Sequence, residues 1–74
     1  MVLSAIPLGE RFRVTRVRPD GPLAFRLMEM GLIEGAEGRL LRRAPFGDPL
    51  QVRVGDYDLA VRKSEAALID VIAV

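Results

Sequence analysis

Cysteine and histidine are both missing from this 74-residue chain. Without cysteine there is no disulfide, no thiolate metal site and no thiol nucleophile, and a reducing, cytoplasmic setting fits. Without histidine, the commonest transition-metal ligand and the commonest general base are gone. Aromatic residues are few, three phenylalanines and one tyrosine. None of the phenylalanines sits in an RNA-binding motif, which argues against a base-stacking surface. Charge of one sign is also lacking. Eleven basic and ten acidic residues leave a net charge of +1, so no strong pull toward nucleic acid or an anionic membrane is expected. No apolar run approaches the roughly 20 residues of a membrane helix. The opening Met1 to Leu8 lacks the basic and long apolar regions of a signal peptide.

Catalysis is equally poorly provided for. There is no glycine-rich phosphate loop and no serine or carboxylate set beside a recognisable base. Serine occurs only as Ser4 and Ser64. Glu10, Asp48, Asp56 and Asp58 offer oxygen ligands, but ferrous iron sites usually recruit imidazole as well as carboxylate. The expectation is a non-enzyme with no cofactor and no dedicated metal site.

What is present suits one compact domain over residues 1–74. Half the residues are hydrophobic, although a chain this short buries only about 60% of its unfolded surface. Leu3 to Gly9 forms a lead-in interrupted by Pro7 and Gly9. Arg11 to Arg18 is a strand in which Phe12 and Val14 alternate with arginines. Val17 then falls one residue out of phase, which predicts a bulge near Thr15 and Arg16. Asp20-Gly21-Pro22 suits a helix start, with Pro22 in the first helical position. Pro22 to Met30 is the helix, with Leu23, Leu27 and Met30 on one face. Gly31 supplies a left-handed residue and Leu32 the apolar contact of a Schellman ending. Gly35 and Gly38 bracket a turn.

Four more strands follow, Gly38 to Arg43, Leu50 to Val54, Tyr57 to Arg62 and Ile69 to Val74. Gly55-Asp56 joins the middle two as a two-residue, type II′ hairpin turn. Ser64 caps a helical turn over Glu65 to Leu68. Leu27, Val52, Leu59, Val61, Ile69 and Val71 are the expected core. Five strands and one or two short helices predict a mostly antiparallel small barrel.

An ordered set of short motifs then accumulates along the chain. Ile6-Pro7-Leu8-Gly9 precedes Arg26-Leu27-Met28-Glu29-Met30-Gly31-Leu32. Ala44-Pro45-Phe46-Gly47-Asp48-Pro49 follows, then Leu59-Ala60-Val61-Arg62, Glu65-Ala66 and Ile69-Asp70-Val71. In this order the chain resembles the ferrous iron transport protein A (FeoA) family from about Ile6 to the last strand. One departure is Glu34-Gly35, where the family often has Pro-Gly. The glycine remains, so the turn should survive. The resemblance implies an SH3-like barrel and a cytosolic accessory role, regulating or assembling the membrane ferrous iron transporter FeoB. The same barrel ends iron-dependent repressors, so a free-standing regulatory domain of that type is a second reading, and a nucleic-acid-binding small barrel a third. Self-association is left open.

Four residues are singled out for partner binding. On a helical wheel at ~100° per residue, Phe25 falls opposite Leu23 and Leu27. Met28 lies between the faces and Glu29 beside Phe25. An amphipathic helix would carry a polar residue at Phe25; either neighbouring loops cover it or it forms an aromatic-methionine patch. Phe46 rides a loop stiffened by Pro45 and Pro49, where an aromatic tip can dock at low entropic cost. The same loop also reads simply as a stiff turn in which Asp48 hydrogen-bonds the backbone. Arg26, at the edge of the apolar stripe, is expected to pair with a carboxylate or a loop carbonyl. The arginines at 11, 13, 16, 18, 39, 42 and 43 read as solvated or acid-paired.

Overall fold

The computed structural model describes all residues, Met1–Val74. After a 3₁₀ turn at Leu3–Ala5, the chain forms β1 (Arg11–Val17), α1 (Gly21–Glu29), β2 (Glu37–Arg43), β3 (Leu50–Val54), β4 (Tyr57–Val61), α2 (Lys63–Ala66) and β5 (Ile69–Ala73). The strands make one antiparallel sheet in the order β4-β3-β2-β1-β5. It curls around thirteen buried apolar residues, with Phe12 the largest.

Two bulges bend the sheet. The β1–β5 register shifts between Val14 and Arg16, at the position the phase slip predicts. Thr15 is the extra residue, and Val17 turns back to pack against the core. A second shift lies between Leu40 and Arg42 in β2, where the alternating pattern gave no sign of it. Each extra residue increases local twist, which closes a sheet around a small core. Gly38, expected at the junction of a turn and the second strand, lies within β2. A Cβ there would stand 2.4 Å from the Arg53 carbonyl oxygen and 2.8 Å from Cζ of Phe12. Glycine is what lets the buried ring lie against the sheet.

α1 ends as the sequence predicts. Gly31, at φ +94°, donates to the Met28 carbonyl at 2.9 Å, and Leu32 donates to the Leu27 carbonyl at 3.0 Å. This is the paired bonding of a Schellman motif, and Leu27 and Leu32, its apolar partners, are both fully buried.

Two expectations need correction. α2 starts two residues early, and its cap position is Arg62 rather than Ser64. The Arg62 N–H donates to Oε1 of Glu65 at 3.3 Å, so the reciprocal half of a capping box does the work assigned to the serine. Leu59 is only half-buried, because β4 is an edge strand with nothing beyond it. Tyr57, on the same face of β4 as Leu59 and Val61 but beside the hairpin turn, is exposed. The remaining expected core residues are all buried.

Leu27→Ala should therefore cost ~2–5 kcal/mol, enough to unfold much of so small a domain. Leu59→Ala, on a half-covered side chain, should cost clearly less. Thermal and urea melts of the two variants check this ordering, and equal losses would contradict the burial described.

Candidate functional site

Phe25, Met28 and Glu29 stand at i, i+3 and i+4 on α1, so they share one helical face, and all three are exposed. Phe25 is 62% and Met28 53% exposed. Neighbouring loops do not cover the phenylalanine. Beside Met28, a groove of about 310 Å³ runs between the helix, the end of β1 and the loop after α1. Val17, Pro19, Ala24, Met28, Ile33 and Glu34 line it. Sequence reasoning missed Val17, Pro19 and Ile33, which come from the end of β1 and from the loop after α1. The only local sign was Ile33, an apolar residue placed just past the helix stop, and it is itself exposed.

Phe46 is 98% exposed, at the tip of the loop joining β2 to β3. The loop is built to hold it there. The Gly47 N–H donates to the Ala44 carbonyl at 2.7 Å and the Ala44 N–H to the Pro49 carbonyl at 3.0 Å. Pro45 occupies the second position of that turn, where its fixed φ fits. Asp48 hydrogen-bonds backbone as expected, but across the fold. Its Oδ1 accepts the Lys63 N–H at 2.9 Å, at the first residue of α2.

α2 is thus a strut between the two candidate regions. Arg26 on α1 forms an ion pair with Glu65 on α2, while Asp48 ties the Phe46 loop to the start of α2. No hydrogen bond or ion pair joins the loop to α1 directly. Glu65 is 9% exposed and is the one buried charged side chain. The carboxylate is tolerated because it accepts the Arg62 N–H and faces the Arg26 guanidinium.

Most other arginines are held by acids or carbonyls. Arg13 pairs with Glu37 at 3.0 Å, Arg18 with Asp70 at 2.6 Å and Arg53 with Asp58 at 2.7 Å. Arg43 donates to the carbonyls of Ser4 and Ile6, both at 2.9 Å, pinning the lead-in whose Leu3 and Ile6 complete the core. No three acidic side chains gather closely enough to hold a metal ion. Asp58 and Asp48 are already engaged as described.

Five antiparallel strands in this order, bent by bulges around a small core, define a small SH3-like barrel. The chain belongs to the FeoA domain family, whose model matches residues 1–73. An Fe(2+) transport protein A/Fe(2+) transporter FeoB fusion protein of Porphyromonas gingivalis is 34% identical over 71 residues. These cover 96% of this chain, which spans only 8% of that protein's length. Iron(II) transport protein A of Clostridium thermocellum has a solution structure that aligns with a TM-score of 0.96 at 36% identity, over 100% of this chain and 46% of that one. FeoA of Stenotrophomonas maltophilia, described as a prokaryotic SH3 domain protein, aligns at 0.83 with 37% identity, over 97% of this chain and 89% of that one. That structure holds zinc. Zinc takes cysteine, histidine and carboxylate ligands. The present chain has neither of the first two and assembles no set of the third, so its residues do not fit a zinc site.

The Arg18–Asp70 ion pair couples folding to pH. Hydrogen bonding from Arg18, and then its charge, hold the Asp70 carboxyl below the usual carboxylate range. A depressed folded value adds stability that is present above the unfolded value and lost as pH falls through the folded one. Melting temperature should hold steady near neutrality and decline below about pH 4, with a shallower decline in Asp70→Asn. Identical acid limbs in the two proteins would show that the pair does not couple to folding.

Proposed function

We propose that this chain is a non-catalytic binding module that docks on the cytosolic part of the ferrous iron transporter FeoB and regulates or assembles it. The docking surface is Phe25, Met28 and Glu29 of α1, with the adjoining groove, together with Phe46 at its loop tip. The observation that carries this reading is the exposure of Phe25 and Met28 side by side on a helix already anchored by Leu27. Water contact at an aromatic-methionine pair gains the isolated domain nothing, while burial under a partner removes that apolar area from water. Phe46 adds an aromatic that a stiff loop orders in advance, which lowers the entropy lost on docking.

FeoB is the favoured partner because the Porphyromonas gingivalis relative carries transport protein A and FeoB in one polypeptide. That chain-level link, together with family membership, favours this reading over a detached repressor-type regulatory domain. The helices also fit a cytosolic module, since none is long and apolar enough to cross a membrane. A small barrel with no base, no nucleophile and no phosphate loop suits binding rather than chemistry.

Folding and binding should separate in the variants Phe25→Ser, Phe46→Ser and Leu27→Ser. The first two remove exposed side chains, so stability should change by less than about 1 kcal/mol. Loss of an aromatic anchor commonly weakens binding by ~2 kcal/mol or more, roughly thirtyfold in Kd. Leu27→Ser should unfold the domain instead. Thermal melts and a pull-down against the cytosolic part of FeoB provide the readouts. Stable Phe25→Ser and Phe46→Ser proteins that bind as the parent does would move the contact surface elsewhere.

A further inference from the structure

The sheet has two outer edges, and the fold treats them differently. Beside β5 runs the amino terminus. Val2 bridges Asp70, and the Val71 N–H donates to the Met1 carbonyl at 2.8 Å. β4, at the other end, pairs only with β3. Its register, Val54↔Tyr57 through Leu50↔Val61, runs without a bulge. A two-residue turn makes Val54 and Tyr57 a hydrogen-bonded pair, and such pairs alternate along an antiparallel ladder. Tyr57, Leu59 and Val61 therefore turn their backbone groups toward β3. Asp58 and Ala60 turn theirs outward. Both residues are exposed, and no backbone hydrogen bond reaches either from another element.

Natural sheets guard such edges with proline, lysine, a bulge or a covering segment. β4 has none of these. Its single charge, Asp58, is held on the sheet face by Arg53 at 2.7 Å. Tyr57, 74% exposed, and half-buried Leu59 leave apolar surface beside the open backbone.

We infer that β4 pairs with β4 of a second copy of this chain, antiparallel, about a two-fold axis through Leu59. In this register Asp58 lies opposite Ala60 of the second copy, and Ala60 opposite its Asp58. Each of these pairs exchanges both N–H···O bonds, so every outward backbone group of the two residues is satisfied. Leu59 meets its own counterpart at the non-hydrogen-bonded position, where strands approach most closely. Tyr57 faces Val61 of the second copy.

The neighbouring symmetric registers are worse. An axis at Asp58 sets two carboxylates directly opposite each other, which is destabilising. An axis at Ala60 requires the backbone of Arg62. That N–H already donates to Glu65, and that carbonyl already accepts from Glu65 and Ala66. The Leu59 axis alone uses all the free groups without opposing like charges. The contact is isologous, so it closes at two copies. It is separate from the FeoB surface, since β4 carries none of Phe25, Met28, Glu29 or Phe46. A single strand pair is small against a standard stable interface, so a weak dimer, populated with rising concentration, is expected.

The test is sedimentation equilibrium of the chain over a concentration series, beside Ala60→Pro. Proline at 60 removes an outward N–H and leaves the bonds to β3 in place, as an edge position permits. The parent mass should climb toward twice the monomer value, while Ala60→Pro stays monomeric. Amide exchange on the parent alone provides a check that does not depend on the variant folding. The Asp58 and Ala60 amides should gain protection as concentration rises. A parent that remains monomeric, an Ala60→Pro protein that dimerises equally, or Asp58 and Ala60 amides unchanged by concentration would each overturn the inference. So would protection of those two amides only when the cytosolic part of FeoB is added, which would make β4 a partner's edge.

Discussion

Glu65 is the one charged side chain that the core admits, and the arrangement of the candidate surface depends on it. Burying a carboxylate is unfavourable unless its hydrogen-bonding capacity is met. Here two partners meet it from opposite directions. The Arg62 N–H fixes the start of α2, and the Arg26 guanidinium fixes α1 against α2. Asp48 then extends the same framework to the Phe46 loop through the Lys63 N–H. A four-residue helix with little intrinsic stability thereby positions a nine-residue helix and a six-residue loop. In a chain too short for a deep core, polar struts of this kind orient elements that apolar packing alone leaves free to shift.

The same shortage of interior explains why large apolar side chains remain outside. Thirteen residues fill the core, and the barrel has no room for Phe25, Met28 or Phe46. Scattered exposed apolar residues are ordinary. Phe25 and Met28 differ in being adjacent on one helical face, beside a groove that Val17, Pro19 and Ile33 extend. Phe46 differs in being held by a loop with its own internal hydrogen bonds. Family membership then gives this surface a context, because a relative joins the same domain to FeoB.

Local signals carried far in this sequence. The phase slip at Val17 located the β1 bulge, the Gly31-Leu32 pair located the helix stop, and Gly55-Asp56 located the hairpin. Each depends on a few consecutive residues, so the sequence holds the whole cause. What was hidden depends on neighbours distant in the chain. Alternation in β4 told which face Leu59 occupies but not that no strand would follow to cover it. The bulge at Leu41 left no slip, because Leu40 and Leu41 are both apolar and either phase reads equally well. Arg26 was expected to find a carboxylate or a loop carbonyl, but nothing near Glu65 in the chain shows that Arg26 comes to meet it. Gly38 read as the start of its strand, but the close approach of the Phe12 ring, from another strand, left no local sign. For the candidate site, the wheel position of Phe25 set it off the apolar stripe but left open whether neighbouring loops cover it; the fold leaves it exposed. The groove beside Met28 was not legible, because its walls come from three segments.

The central claim is that one face of α1 and the tip of the Phe46 loop together form the contact surface for FeoB. Backbone amide NMR of the labelled domain, titrated with the cytosolic part of FeoB, tests it most directly. The account predicts that shifts and broadening concentrate at Phe25, Met28, Glu29, Ile33 and Phe46. Perturbations confined to the arginine-bearing strands, with α1 and the loop unmoved at saturation, would contradict it.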